Sequence, residues 1–150
     1  MKEKKDFYQV SLKVFLKNKK GEVLILKAAR GGSCEGFYDL PGGRVNLSEF
    51  KTPLDRVIKR EVKEEIGKVD FDLFLKPVAL GRNENPNKKS PLGGRVHIFN
   101  IFFEAKYRAG EIKISDEHLD FKWEKLKREN LKKLFKFAIL EGAIMYLAKK

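Results

Sequence analysis

The chain contains a single cysteine, Cys34, and only two histidines among its 150 residues. One cysteine excludes an intrachain disulfide and a metal site built from cysteines, and it favours a reducing compartment. Long apolar runs are also missing, because the most apolar stretch, FAILEGAIMYLA, is too short to span a bilayer and contains Glu141. The lysines of the first ten residues are not followed by the apolar run of a signal peptide. We therefore expect a soluble cytoplasmic protein with no membrane partner.

Basic residues outnumber acidic ones by 33 to 21, which gives a formal net charge of +12. This balance favours anionic partners such as nucleotides or nucleic acid, but a lysine-rich, heat-adapted surface explains spread charges equally well. Hydrophobic residues make up 42% of the chain and include 12 phenylalanines, which is enough to fill a core. The length fits one domain, which we take to span residues 1–150. The oligomeric state stays open.

The order of predicted elements indicates an α/β sandwich around a mixed β-sheet. The main helix should cover about 52–66, with Thr52 as its N-cap, Pro53 in its first turn and Gly67 as its stop. The other predicted elements are a hairpin at 10–27, a loop at 28–36, a short strand at 37–43, strands at 71–81 and 95–107, a polar loop at 82–94, shorter elements at 111–114 and 120–126, and a helix from Asn130 to the end.

The main helix places two carboxylates on its apolar side. With Leu54 at zero on a helical wheel, Glu61 falls at about 340° and Glu65 at about 20°. Both lie inside the arc formed by the apolar residues Leu54, Val57, Ile58, Val62 and Ile66. Buried carboxylates are costly unless they are compensated, and carboxylate oxygens are preferred ligands of Mg²⁺. The alternative is an ordinary charged helix in which Arg60 and Glu64 form a common i,i+4 pair.

These residues resemble the Nudix box, in which a glycine and a glutamate precede the pattern R-E-U-x-E-E-x-G-U, where U is a bulky apolar residue. Here Gly43 is followed after five residues by Glu49, and REVKEEIG follows at 60–67. The preceding DLPGG also looks like the usual lead-in of the family. The resemblance implies a Nudix-like α/β/α sandwich around a mixed sheet. It also implies a hydrolase that needs Mg²⁺, with Mn²⁺ able to substitute, and that cuts a diphosphate linkage joining a nucleoside to another group.

Two departures from the family pattern stand out. Ten residues separate Glu49 from Arg60 where the pattern has seven. The three extra residues fall in the loop that enters the helix, where added length is tolerated, and we expect them to leave the helix register unchanged. Lys68 occupies the last apolar position of the pattern, and the adjacent Val69 is available to take its role.

The resemblance also implies roles for individual residues. Glu61 and Glu65 would be metal ligands, joined by the Gly43 carbonyl, and Glu64 would be a third ligand or would orient the attacking water. Arg60 would hold one of the glutamates of the box in place, and Glu49 is the candidate. Beside the glycine turn, we predict substrate contacts from Arg44 and from Tyr38, although core packing explains Tyr38 equally well.

Similar sites often recruit one more acidic residue from outside the box. The candidates are Glu104, Glu111 and Glu117, and we predict Glu117 because it lies in a polar loop six residues before Trp123. The two histidines, His97 and His118, are predicted to be packing or surface residues.

Two functions other than diphosphate hydrolysis are also consistent with the sequence. One is a Nudix-fold domain that binds a nucleotide or RNA without catalysis, but such a domain has no chemical need for all three helix glutamates. The other is an enzyme that processes RNA ends, which the net charge permits but does not require.

Overall fold

The computed structural model describes residues 2–32 and 34–149. Within these residues the secondary structure consists of β1 (Tyr8–Lys17), β2 (Val23–Ala28), β3 (Tyr38–Asp39), β4 (Gly42–Arg44), a short 3₁₀ helix (Leu47–Glu49), α1 (Leu54–Ile66), β5 (Asp70–Lys89), β6 (Arg95–Ala109), β7 (His118–Glu124), α2 (Leu131–Leu134) and α3 (Phe137–Ala148).

The strands form one mixed sheet. Its main path runs β3-β2-β1-β6-β5, while β4 pairs with β1 and β7 pairs with β2. The pairing of β1 with β6 is parallel and the other pairings are antiparallel. This sheet with flanking helices confirms the predicted α/β fold class. Among the described residues, no helix combines the length and the apolar character needed to cross a membrane.

Side chains alternate along β1 and so reach two separate cores. Leu12, Val14 and Leu16 pack with the apolar face of α1, whereas Phe15 packs with Phe102 and with α3 on the opposite face. Burial on both faces extends from Ser11 to Leu16 of β1, and it includes the polar side chains of Ser11 and Lys13. The sheet therefore lies between α1 on one side and α2 with α3 on the other.

The polar segment 82–94, predicted as a loop, is strand as far as Lys89, so that part of the prediction is wrong. Cross-strand pairs from Arg82 with Phe99 to Asn85 with Val96 continue the ladder with β6. The segment carries no apolar pattern because β5 lies at the edge of the sheet, where polar side chains and Pro86 are tolerated.

Three other parts of the predicted secondary structure also differ from the observed structure. Helix α1 begins at Leu54, with Pro53 rather than Thr52 at the N-cap. Residues 111–114 form neither a helix nor a strand. The predicted C-terminal helix is broken between α2 and α3, where Phe137 adopts a positive φ of 55°.

The register of α1 agrees with the prediction. Val57, Ile58, Val62 and Ile66 are buried, Glu65 is buried among them, and Lys59 and Lys63 face solvent. The three extra residues fall in the loop containing the 3₁₀ helix at Leu47–Glu49 and leave this pattern undisturbed. Leu54 departs from the pattern, since it is 46% exposed in the first turn of the helix.

Candidate active site

The glycine turn brings the start of the box against the middle of α1. Gly42 and Gly43 lie in β4, paired with Lys13 and Leu12 of β1. A Cβ atom on Gly42 would overlap the Leu12 carbonyl, and Gly42 has a φ of +131°, which side-chain-bearing residues rarely adopt. A Cβ atom on Gly43 would overlap the Glu61 carboxylate. The two glycines therefore allow the helix carboxylates to lie directly on the backbone of β4.

Glu65 is the most buried of these carboxylates, at 6% exposure. The Gly42 N–H donates a hydrogen bond to its Oε1 at 2.6 Å. Burial raises the pKa of Glu65 to about 8, although the nearby charge of Lys13 and this hydrogen bond act in the opposite direction. A cation beside Glu65 would offset the cost of burying its charged form.

Arg60 organises the other glutamates of the box. Its guanidinium donates two hydrogen bonds to Glu49, from Nε at 2.6 Å and from Nη2 at 2.5 Å. Its Nη1 donates to Glu61 at 2.8 Å and to Glu64 at 3.2 Å. The hydrogen bonds from Arg60 lower the pKa of Glu49, and the hydrogen bonds to Glu49 raise the pKa of Arg60. The longer loop therefore still delivers Glu49 to Arg60.

A loop that follows β6 closes the site from the other side. The N–H groups of Lys113 and Ser115 donate to the carbonyls of Ile66 and Glu65 at the end of α1, at 2.9 and 3.0 Å. This docking holds the next residues beside the helix carboxylates. The loop and the helix carboxylates line a cavity of about 470 Å³, the carboxylate cavity. Its lining residues are Arg44, Asn46, Glu61, Glu64, Glu65, Ser115, Asp116 and Glu117.

The side chains of this cavity fit a divalent cation in their chemistry. Glu61, Glu64, Glu65 and Glu117 supply hard oxygen donors around one space. Within residues 2–32 and 34–149, no three acidic, histidine or cysteine side chains converge in a ligating arrangement. Nη1 of Arg60 instead forms ion pairs with both Glu61 and Glu64.

Sequence reasoning missed a buried polar group beneath the glycine turn. Lys13 is 8% exposed, and its Nζ donates to Asp39 at 3.2 Å and to the carbonyls of Leu40 and Gly42, each at 3.4 Å. Burial disfavours its charged form, but the charges of Asp39 and Glu65 outweigh burial and raise the pKa of Lys13. In the sequence, Ser11 and Lys13 alternate with apolar residues as in a half-exposed strand, so the local pattern offered no signal for this burial.

His118 also lies at the site, beside the residue that the sequence singled out. It is 9% exposed, and its Nε2 is 3.4 Å from Oε2 of Glu65. Burial lowers the pKa of His118, and its buried Nδ1 has no hydrogen-bond partner among the described residues. The prediction of packing is consistent with this burial, but it gave no hint of the contact with Glu65.

A second cavity, of about 280 Å³, opens on the face of the sheet that carries α3. Ser11 and Asn100 are each 3% exposed there, and the Asn100 amide donates to Oδ1 of Asn83 at 2.9 Å. Alternate residues of β5 point into it, so the segment predicted as a loop builds one wall. Its polar lining includes Ser11, Lys13, Asp39, Arg44, Asn83, Asn85, Asn87, Asn100 and Lys136.

The structure separates the predicted site residues into two groups. Arg44 and Glu117 lie in the carboxylate cavity with the helix glutamates. Tyr38 instead packs against the core under α3, with the ammonium groups of Lys27 and Lys122 at 4.9 and 5.0 Å from its ring centroid. Of the other acidic candidates, Glu104 contacts Lys17 and Tyr146 elsewhere on the sheet, and Glu111 is exposed in the loop after β6.

The burial of Glu65 predicts how stability depends on pH without metal. Its folded pKa is raised from 4.5 to about 8, so the stabilisation is complete below pH 4.5 and is lost as the pH rises through 8. The pKa of His118 is lowered instead, so its contribution changes below its ordinary value of 6.5. A rise in pH from 7 to 8 should therefore lower the free energy of unfolding by roughly 1 kcal/mol through the ionisation of Glu65.

Urea denaturation in EDTA at pH 7.0, 7.5 and 8.0 measures this change. The Glu65→Gln variant is the control, because it has no carboxyl group to titrate at that position. An equal pH dependence in the wild type and in Glu65→Gln would contradict the assignment of this effect to Glu65.

Comparison with known proteins agrees with this geometry. The NUDIX domain family matches residues 7–140. The solved structure of a MutT protein from Methanosarcina mazei Go1 is similar, with 24% identity, a TM-score of 0.72 and 98% coverage of both chains. An E. coli dihydroneopterin triphosphate pyrophosphohydrolase has 17% identity and a TM-score of 0.67, with 95% of this chain and 99% of that chain covered. A C. elegans Ap4A hydrolase has 16% identity and a TM-score of 0.61, with 94% and 96% covered.

A comparison with curated protein sequences found no significant match. The family match extends over most of the chain and includes the glycine turn, the box helix and the loop that carries Glu117. The chain belongs to the Nudix family of pyrophosphohydrolases, which confirms the resemblance drawn from the box and the prediction of an enzyme.

Proposed function

We propose that this chain is a magnesium-dependent hydrolase that cleaves a diphosphate linkage between a nucleoside and a second group, with Mn²⁺ able to substitute. The observation that carries the proposal is the set of helix glutamates, Glu61, Glu64 and Glu65, gathered with Arg44 and Glu117 around one cavity. A domain that only binds nucleotides has no chemical need for this set. A cytoplasmic location is part of the proposal and rests on the single cysteine.

The roles of the residues follow from their places in the cavity. Glu61, Glu65 and the Gly43 carbonyl would hold the cation, and Glu64 would join them or orient the attacking water. When bound there, the cation would neutralise the diphosphate and lower the pKa of its coordinated water. Arg60 is a positioning residue, because its contacts are with the glutamates.

The remaining polar groups are suited to binding the substrate. Arg44 lines both the carboxylate cavity and the asparagine-lined cavity, so it can contact the phosphates between them. Asparagine amides offer both donors and acceptors, which suits the edge of a nucleobase. We therefore place the nucleoside in the cavity lined by Asn83 and Asn100, with the diphosphate extending towards α1.

A substrate panel tests this proposal and identifies the second group. The members are nucleoside triphosphates, nucleotide sugars, ADP-ribose, dinucleoside polyphosphates and capped RNA, each incubated with Mg²⁺ and analysed for phosphorylated products. We expect at least one member to be cut at a diphosphate linkage, and Glu61→Gln to cut it more slowly at the same Mg²⁺ concentration. Tight binding of a panel member with no cleavage of any would instead favour a binding domain.

The carboxylate outside the box gives a separate prediction. Glu117→Gln should lower turnover at least about tenfold, because a group that would accept the proton of the attacking water is removed. Glu111→Gln is the matched control, since Glu111 is exposed outside the cavity. Initial rates and thermal melts of the two variants measure the effect. Wild-type turnover in Glu117→Gln across pH, with a collapse in Glu111→Gln or Glu104→Gln, would reverse the assignment.

A further inference from the structure

The loop that carries the three extra residues presents unusually exposed apolar side chains next to the active site. Leu47 is 99% exposed and Phe50 is 90% exposed, and Leu54 at the start of α1 is 46% exposed. They border a groove of about 680 Å³ that runs between this loop and the start of β1. The full lining is Tyr8, Gln9, Val10, Arg44, Val45, Asn46, Leu47, Glu49, Phe50, Thr52, Leu54 and Lys88.

Hydrogen bonds hold this loop in place. Oε1 of Glu49 accepts a hydrogen bond from the Asn46 N–H at 2.8 Å, and both oxygens of Glu49 accept hydrogen bonds from Arg60. The Thr52 N–H donates to the Glu49 carbonyl at 2.9 Å. Phe50 lies between these anchored residues, so its exposed ring is presented by a fixed backbone.

The groove adjoins the active site. Arg44 lines the groove, the carboxylate cavity and the asparagine-lined cavity, and Asn46 lines the first two. The polar end of β5 divides the groove from the asparagine-lined cavity, because Asn87 faces that cavity and Lys88 faces the groove. A molecule with its diphosphate beside Arg44 therefore has two binding spaces, on opposite faces of the sheet.

The charges of the groove favour a particular occupant. Its cations are Arg44 and Lys88, and its one acidic residue, Glu49, is neutralised by the two hydrogen bonds from Arg60. Aromatic and aliphatic side chains between cations suit an aromatic ring attached to an anionic chain. A nucleoside carried on a polyphosphate has this chemistry.

We propose that the groove beside Phe50 binds a second nucleoside, so that the preferred substrates carry an aromatic base at both ends of a polyphosphate. This inference rests on the proposed function, since it supplies the group on the far side of the diphosphate that is cut. One base would occupy the asparagine-lined cavity and the other would stack on Phe50.

The test compares a dinucleoside tetraphosphate with the matching nucleoside triphosphate. Phe50→Ser should raise KM for the dinucleoside compound about tenfold, the expected effect of losing one base–aromatic stack, and leave the triphosphate unchanged. Phe74→Ser is the matched control, because Phe74 is also an exposed phenylalanine, at 53%, and lines a different cavity. Calorimetry with a methylene-bridged dinucleoside polyphosphate should show the same weakening for Phe50→Ser alone.

The results that would overturn the inference are distinct from a failure of the proposed function. Equal effects of Phe50→Ser on both substrates, or none on either, would exclude a second nucleoside from the groove. If no compound is hydrolysed, the proposed function fails, and the calorimetry still decides whether the groove takes the second base. A wild-type dimer that Phe50→Ser converts to a monomer would assign the groove to a second copy of the chain.

Discussion

Replacing Glu65 with glutamine is expected to lower turnover at least about a hundredfold while the protein remains folded. Glu65 is the most buried carboxylate of the site, and glutamine keeps an oxygen to accept the hydrogen bond from the Gly42 N–H at the same place. The substitution removes the negative charge needed to hold a cation and leaves the packing of α1 almost unchanged. Steady-state rates at saturating Mg²⁺ measure the loss of activity.

Thermal stability distinguishes loss of charge from loss of structure. Without metal, Glu65→Gln should be as stable as the wild type or more stable at pH 8, because a buried group no longer has to ionise. Lys63→Gln is a suitable control, since Lys63 is exposed on the opposite side of the same helix. Retention of wild-type turnover by Glu65→Gln would remove Glu65 from the metal site.

The second large effect is expected from Gly42→Ala, which should lower the free energy of unfolding by more than about 4 kcal/mol. Gly42 has a φ of +131°, and the added Cβ atom would overlap the backbone carbonyl of Leu12, which is fixed within the sheet. Relief of this overlap requires β4 to move away from β1. Such a movement would also break the hydrogen bond from Gly42 to Glu65.

Gly36→Ala separates the overlap from the backbone strain. Gly36 also has a positive φ, +85°, but a Cβ atom there would meet nothing within 4 Å. It should therefore cost only about 1–2 kcal/mol, the usual penalty for a side chain in the left-handed region. Chemical denaturation of both variants measures the difference. Similar losses would show that overlap with Leu12 contributes little.

Local patterns were sufficient to predict the centre of the site. The positions of Glu61 and Glu65 within the apolar arc predicted their side of α1, since a helix of that length has only one way to bury Val57, Ile58 and Val62. The pairing of Arg60 with Glu49, which the family resemblance implied, is also present despite the longer loop. These features depend on short-range periodicity and on the order of residues within the box.

Features that depend on distant parts of the chain were not predicted. In the sequence, Lys13 alternates with apolar residues as a solvent-facing side chain would, and only the fold brings the Leu40 and Gly42 carbonyls to its ammonium group. The polar end of β5 reads as a loop because its ladder is with β6 alone, at the edge of the sheet. The residues of this strand end line the asparagine-lined cavity on one face and the groove beside Phe50 on the other, and Arg44 lines both. Pairing across the sheet, rather than local composition, decides these contacts.

The most direct test of the proposed function is the rate of hydrolysis of the best panel substrate during titration with Mg²⁺ after complete removal of metal by EDTA. We predict no detectable turnover in excess EDTA, recovery on addition of Mg²⁺ or Mn²⁺, and a shift to higher metal concentration for Glu61→Gln. Full activity in excess EDTA would contradict a metal-dependent site formed by Glu61, Glu64 and Glu65.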